Sequence, residues 1–378
     1  MSPATLMPAT LTPADLLARL VGFPTVVGQP NGALIEDVAR YLRAHGAEVT
    51  VLAGPEGDRS NLFASFGPKD VPGIVLSGHV DVVPATEPEW RADPFVLRRE
   101  GDRLIGRGAC DMKGFVAAVL AAAPAMGRMA LRAPLHIALS YDEEAGCKGV
   151  PHLLAALPAL CAPPEGAIIG EPTGLVPVLA HKGKAALRLS AKGRSGHSSR
   201  PDLGQNAIQR LVPVLARICA QAEALTRGPQ DARFAPPYSS VQIGTICGGQ
   251  AVNIIPDFAE AQIEARAIAG VSPKAILQEV LVDLPEGVSL DWLSEYPALA
   301  LAPEAPLARL AETLTGRAAQ GAVSFGTEAG LFQQAGIAAI VCGPGDIARA
   351  HKPEEYLTLS ELEGTCAMLS SLIDRQAA

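Results

Sequence analysis

From Thr12 to Ala47 the apolar positions recur at helical spacing. Thr12 stands as an N-cap before Pro13-Ala14-Asp15, and Ile35, Val38, Ala39 and Leu42 mark the buried face of a second helix. Short continuous apolar runs then alternate with amphipathic helices: Gly73-Ile74-Val75-Leu76-Ser77, His136-Ile137-Ala138-Leu139-Ser140 and Ala167-Ile168-Ile169-Gly170. Such runs belong to strands buried on both faces of a mostly parallel sheet. A fourth, Ala338-Ala339-Ile340-Val341-Cys342, lies far along the chain. One α/β domain is therefore expected from both ends of the chain, with helices on both faces of its sheet.

The middle of the chain changes period. Residues 186–191, 240–245 and 257–267 alternate apolar with polar, and helices are expected over 206–225 and 273–281. Period-two strands with two helices predict an antiparallel sheet covered on one side, a smaller inserted α+β lid. The expected boundaries are 1–183 and 294–378 for the larger domain and 184–293 for the lid. The crossings fall at His181-Lys182-Gly183-Lys184 and Ser294-Glu295-Tyr296-Pro297. Segment 186–191 is expected as an exposed strand edge, an invitation for two lids to pair.

Composition narrows the function classes. A chain of 378 residues with 48% hydrophobic and 19% charged positions fits two packed domains. Net charge is −8, from 31 basic and 39 acidic residues without basic runs, which argues against nucleic acid or an anionic membrane as partner. A small molecule is the better expectation. Residues 1–6 lack the basic start of a secretory leader, and the apolar stretch Phe115–Ala123 ends at Pro124, too short to cross a bilayer. Seven scattered cysteines without a Cys-x-x-Cys pair point to neither a disulfide framework nor a zinc knuckle, in keeping with a reducing cytoplasm.

The chemistry gathers where the buried strands end. The first run leads into Ser77-Gly78-His79-Val80-Asp81, where His79 and Asp81 project to one side. The next lead into Asp142-Glu143-Glu144 and Gly170-Glu171-Pro172-Thr173, and the last into the loop holding His351. Ligands of open α/β sheets bind outside the carboxyl ends of the strands, so these segments converge. Asp111, before a helix, can join them. Taken singly, a His or Asp at a strand end is ordinarily a capping or solvated residue; unrelated solvated residues have no reason to collect after four separate strands. Two histidines with three or more carboxylates suit two divalent ions, zinc above all. A free Glu beside a ligand Glu makes sense as a base.

Those segments, with Gly106 to Gly114 and Ser195-Gly196-His197-Ser198-Ser199, strongly resemble the metallopeptidase family of acetylornithine deacetylase, succinyl-diaminopimelate desuccinylase, glutamate carboxypeptidase and aminoacylase. The resemblance runs from about Leu16 to Leu372. It implies that His79 and Glu171 hold one zinc and Glu144 and His351 the other, with Asp111 bridging through a cis peptide to Met112; cobalt is a possible substitute. It further implies that Asp81 orients His79, that Glu143 is the general base and acid, and that the lid pairs two subunits. His197 would then reach across the homodimer to the oxyanion, while Asn253 and Arg266 bind the substrate's polar groups and carboxylate.

Within the family, Ser324-Phe325-Gly326-Thr327-Glu328-Ala329-Gly330-Leu331-Phe332, Ala180-His181-Lys182-Gly183 and Cys342 to Tyr356 look like acetylornithine deacetylase. Glu328 would pair with the side-chain ammonium of ornithine. The implied reaction is hydrolysis of N2-acetylornithine to ornithine and acetate, a step of arginine biosynthesis. The alternatives are another N-acyl-amino-acid amidohydrolase, a desuccinylase or a dipeptidase and, from another class, a non-catalytic protein that binds an amino-acid derivative. Retention of Glu143 beside the ligand set argues against the last. The lid stretch Ile263 to Gly270 departs from the usual pattern, in which Arg-Pro or Arg-Tyr precedes Leu-Pro-Gly. His45 and His152 read as surface residues, His136 as a satisfied core group and Cys110 as a packed thiol. His181 is open between shaping the site and holding a metal.

Overall fold

A computed structural model describes residues 11–377; the expectation about a leader falls on residues outside it. The chain divides into two compact units. One runs to Val178 and adds Pro303–Gln320 and Gly336–Ala378; the other holds Leu179–Ala302 and Gly321–Ala335. The second unit thus takes in 179–183, 294–302 and 321–335 beyond the 184–293 span expected of the lid.

The first unit is built on a six-stranded sheet in the order Glu48–Ala53, Ser60–Phe66, Leu135–Ser140, Ile74–His79, Gly166–Pro172, Ala339–Gly343. The last four run parallel and the first two antiparallel, so the four apolar runs form the parallel part. Strands Ile74–His79, Leu135–Ser140 and Gly166–Pro172 are buried at every residue, which is why they read as unbroken apolar runs. Helix Gly114–Arg128 packs on Ile74–His79 and Gly166–Pro172, flanked by Pro13–Val21 and Leu359–Gln376. Helices Gly32–Ala44 and Val150–Leu160 pack on Glu48–Ala53, Ser60–Phe66 and Leu135–Ser140. Thr12 caps the first helix through a reciprocal box with Asp15.

Pro124, where the apolar stretch stops, lies inside helix Gly114–Arg128 and does not end it. The helix continues to Arg128, so that Ala109–Arg128 is long and apolar enough to span a membrane. Most of it is buried against the sheet and neighbouring helices, and tertiary packing holds a helix whose proline lacks one donor.

The second unit carries a four-stranded antiparallel sheet, Ser240–Gly248, Phe258–Ala267, Gly183–Lys192, Val288–Tyr296, covered by helices Ala207–Leu225 and Pro273–Val280. Leu187, Leu189, Ala261 and Ile263 alternate inward to meet Leu211, Val214 and Leu277. The expected edge at 186–191 is corrected: this strand pairs with neighbours on both sides and lies inside the sheet. Ser240–Gly248 and Val288–Tyr296 are the edges.

His136 is only half satisfied. Its Nδ1 meets Ser65 Oγ at 2.8 Å and its ring stacks on Phe63, while Nε2 is buried without a partner. Burial pulls its imidazole down to about 4. The unfolded chain, whose histidine titrates near 6.5, takes up the proton first, so the stability held by neutral His136 is full above that pH and drains as pH falls toward 4. We expect up to roughly 3 kcal/mol of acid sensitivity from this group. Urea midpoints at pH 7.5 and 4.5 should therefore differ less for His136→Gln than for wild type; identical pH dependence would remove this origin.

Candidate active site

Three parallel strands and two loops of the first unit bring seven side chains together. Strand Ile74–His79 ends on His79, fully enclosed, and Gly78 beneath it leaves room for Met112, whose Cε would lie 2.7 Å from any Cβ there. Asp111 sits in the tight turn Ala109–Lys113, and its peptide to Met112 is cis. The turn Asp142-Glu143-Glu144 follows strand Leu135–Ser140, and Glu171 stands near the end of Gly166–Pro172, on the other side of Ile74–His79. His351 holds φ at 60°, in the left-handed region, and is half exposed.

Asp111 lies between the two imidazoles. Its Oδ1 is 3.0 Å from His79 Nε2 and its Oδ2 is 3.3 Å from His351 Nε2. Glu144 Oε1 lies 2.9 Å from the same His351 nitrogen, and Glu171 Oε1 4.0 Å from His79 Nε2. His79, Glu143 and Glu171 offer one compact set of donor atoms, and His79, Asp111 and Glu144 a second.

Asp81 meets His79 more closely through its backbone carbonyl than through its carboxylate. His79 Nδ1 bonds the backbone carbonyl of Asp81 at 2.9 Å, while the carboxylate is 3.6 Å away. That carboxylate instead accepts the backbone N–H of Glu143 and of Glu144, each at 3.1 Å. It therefore fixes the glutamate turn, and its neighbouring carbonyl fixes the ring. Asp142 faces the other way, accepting the Gly28 N–H and an Arg59 guanidinium bond.

The electrostatics ask for a cation. With Nδ1 donating to a carbonyl, a neutral His79 presents a lone pair at Nε2, toward carboxylate oxygens that are themselves acceptors. Such a face is satisfied by a proton or a metal ion between the acceptors. Burial raises Glu171 well above its ordinary value and pushes Glu143 to about 8, with the surrounding carboxylates adding to both. Burial opposes a charge on Asp111, yet its bonds to His351 and His79 hold it low. Two imidazole nitrogens and a set of buried carboxylates are the donors a divalent ion selects, so the residues fit a metal.

The remaining sequence candidates belong to the second unit. His197 is exposed; its Nδ1 accepts the Ser199 N–H at 3.2 Å, which puts the proton of the neutral ring on Nε2. Asn253 immediately precedes Ile254–Ile255, which pairs with Gly196–His197, and its carbonyl accepts the Ser198 N–H at 3.0 Å. Arg266 is half-buried, bonding Glu264 and, at 3.1 Å, the Tyr296 hydroxyl. Glu328 is buried before helix Ala329–Gln334. His181 is enclosed, Nδ1 on its neighbour's carbonyl and Nε2 without a hydrogen bond; burial lowers it to about 4. Cys110 is a packed thiol whose burial pushes its titration up, and His152 is exposed. His45 is half-buried, its Nδ1 meeting the Tyr41 carbonyl at 2.8 Å.

Residues 75–375 match the model of peptidase family M20/M25/M40. The chain belongs to that family. It is a metal-dependent hydrolase of amide bonds. An acetylornithine deacetylase of Photorhabdus laumondii is 32% identical over 375 residues, covering 95% of this chain and 96% of the relative. In fold, the M20 family metallo-carboxypeptidase Sso-CP2 of Sulfolobus solfataricus superposes with a TM-score of 0.79 at 18% identity, covering 96% of this chain and 98% of that one. The YXEP protein of Bacillus subtilis, a dinuclear metal-binding peptidase of the M20 family, gives 0.65 at 15% identity over 96% of both chains.

Sequence reasoning passed over three buried polar residues of this M20 unit. Lys113 donates Nζ to the carbonyls of Leu20 and Phe23, Cys147 Sγ lies 3.3 Å from Glu143 Oε1, and Glu355 bonds the Asp111 turn. Lys113 and Glu355 stood inside the segments that carried the family resemblance, and a charged residue flanking a glycine-rich apolar turn was the available signal.

Proposed function

We propose that the chain removes an acyl group from the nitrogen of an amino acid, with N2-acetylornithine as substrate and ornithine and acetate as products, using two zinc ions. The observation that carries this is Asp111, whose two oxygens face His79 and His351 separately. His79 with Glu171 would hold one ion, His351 with Glu144 the other, and Asp111 both. When bound, the ions supply polarisation of the amide carbonyl and a water near neutral pKa. Glu143, beside the ligand Glu144, takes the proton of the attacking water and returns it to the leaving nitrogen. Asp81 keeps Glu143 and Glu144 in register by holding both amides. The acetylornithine deacetylase relatives support the acyl amino acid as substrate, and Arg266, Asn253 and Glu328 are the proposed contacts to its carboxylate, polar groups and ammonium. A role in arginine biosynthesis and a cytoplasmic place follow from this reading.

A panel of N2-acetylornithine, N-acetylmethionine, N-succinyl-diaminopimelate and a simple dipeptide, given to zinc-loaded protein, tests the substrate. We expect kcat/KM for N2-acetylornithine to exceed the others by about tenfold or more. A preference for the succinyl compound or the dipeptide would overturn that choice.

The second unit is proposed as lid and dimerisation domain, with His197 Nε2–H serving the oxyanion of the other subunit. Support for pairing comes from the edge strand Ser240–Gly248, where Ile246 is 61% exposed, and from helix Ala207–Leu225 beside it, which exposes Val212. Cys219 and Cys247 are exposed on these two elements. Maleimide should label them slowly in the native protein and quickly once it is diluted to monomer; fast labelling of a fully active monomer would remove both the dimer and the role of His197.

A further inference from the structure

Glu355 lies four residues beyond His351 and is only 1% exposed. Its Oε1 accepts the backbone N–H of Cys110 at 2.9 Å and of Asp111 at 3.0 Å, and its Oε2 accepts Arg107 Nη1 at 2.8 Å. Arg107 is equally enclosed. Its Nη1 also reaches the Lys352 carbonyl at 3.3 Å, while Nη2 reaches the Pro84 carbonyl at 3.1 Å and the Glu87 carboxylate at 3.3 Å. The guanidinium stands over the Trp90 ring, 5.2 Å from its centroid. One buried ion pair thus ties together the segment after His79 and Asp81, the turn that carries Asp111 and the loop that carries His351.

We propose that Glu355, neutralised by Arg107, is a positioning residue for the metal centre: by holding the amides of Cys110 and Asp111 it fixes the Asp111 carboxylate between His79 and His351. Amide donors bonded to an ionised acceptor form strong, directional contacts. A carboxylate shared between two ions tolerates little rotation, because a shift toward one imidazole withdraws an oxygen from the other. Arg107 extends the restraint to the backbone beside His351 through the Lys352 carbonyl. The glycine at 108, with φ at 78° and Val82 Cγ1 only 2.5 Å from where a Cβ would stand, lets the turn approach closely enough for both amides to reach one oxygen.

The inference rests on the reading of this site as a metal centre, and its test separates the two. A buried ion pair can be exchanged for apolar side chains with little loss of stability, whereas removal of one partner leaves a charge uncompensated. Glu355→Gln and the double variant Arg107→Met/Glu355→Met are therefore compared with wild type in the full chain. Stripped protein is titrated with zinc by calorimetry and with cobalt by its visible absorption, and melting temperature and kinetics are followed alongside.

We expect the double variant to fold but to melt below wild type, because the amides of Cys110 and Asp111 lose their acceptor, and to bind zinc about 10- to 100-fold more weakly, with an altered cobalt spectrum. We expect kcat to fall while KM moves less than about threefold, since no group that meets substrate has changed. If Glu355→Gln fails to fold, the double variant carries the comparison. Wild-type zinc affinity and cobalt spectrum in a folded double variant would overturn the positioning role alone. A wild-type chain that takes up no metal would overturn the metal reading and this inference together.

Discussion

Glu143→Ala is expected to leave metal content and melting temperature at wild-type values while cutting kcat by about 10²-fold or more, a rise in the barrier of roughly 2.7 kcal/mol. Its side chain is half-buried beside Glu144, and its backbone N–H is already held by Asp81. Removing the carboxylate takes away a proton carrier and one weak thiol contact from Cys147, while both amides of the turn stay held by Asp81. Glu144→Ala should behave otherwise. Its Oε1 faces His351 Nε2 at 2.9 Å, so its loss should weaken one metal site, and excess zinc should recover part of the activity. Excess zinc cannot restore a missing base. The pair of variants also addresses a non-catalytic binder, which would lose ligand affinity with Glu144→Ala and hardly notice Glu143→Ala. A Glu143→Ala enzyme that turns over at the wild-type rate would sink the mechanism.

The second large effect belongs to Asp111. Asp111→Ala is expected to lower bound metal from two ions to one or fewer and to cut turnover by more than about 10³-fold, because polarisation of the carbonyl and activation of water are lost together. Both of its oxygens are engaged, one by each imidazole, and the side chain is buried, so no solvent ligand can take its geometry. Added zinc should not rescue this variant. Metal analysis by atomic emission, read beside turnover, checks the prediction; two tightly held ions in Asp111→Ala would contradict the bridging role.

The sites at the strand ends were legible because each buried strand reads as an unbroken apolar run that stops at a polar residue with no packing reason to be there. His79, Glu143, Glu144 and Glu171 all announce themselves this way, and Asp111 joins them through the glycine-rich turn before an apolar helix. The inner place of Gly183–Lys192 was not legible. Its second neighbour, Val288–Tyr296, alternates only as far as Trp292, where a register shift breaks the period. The division of labour at Asp81 was equally hidden, since spacing tells that Asp81 lies near His79 but not that the carbonyl meets the ring and the carboxylate meets two amides. Arg107 and Glu355 are separated by most of the chain, and only the folded sheet brings them within 2.8 Å.

The central claim is that five residues, His79, Asp111, Glu144, Glu171 and His351, hold two ions that work together on an amide bond. Chelator-stripped protein titrated with zinc, with hydrolysis of N2-acetylornithine followed at each addition, tests it most directly. The account predicts no measurable hydrolysis without metal and a rise that reaches its plateau at two zinc ions per chain. Full activity at one ion per chain, or activity that survives complete removal of metal, would contradict it.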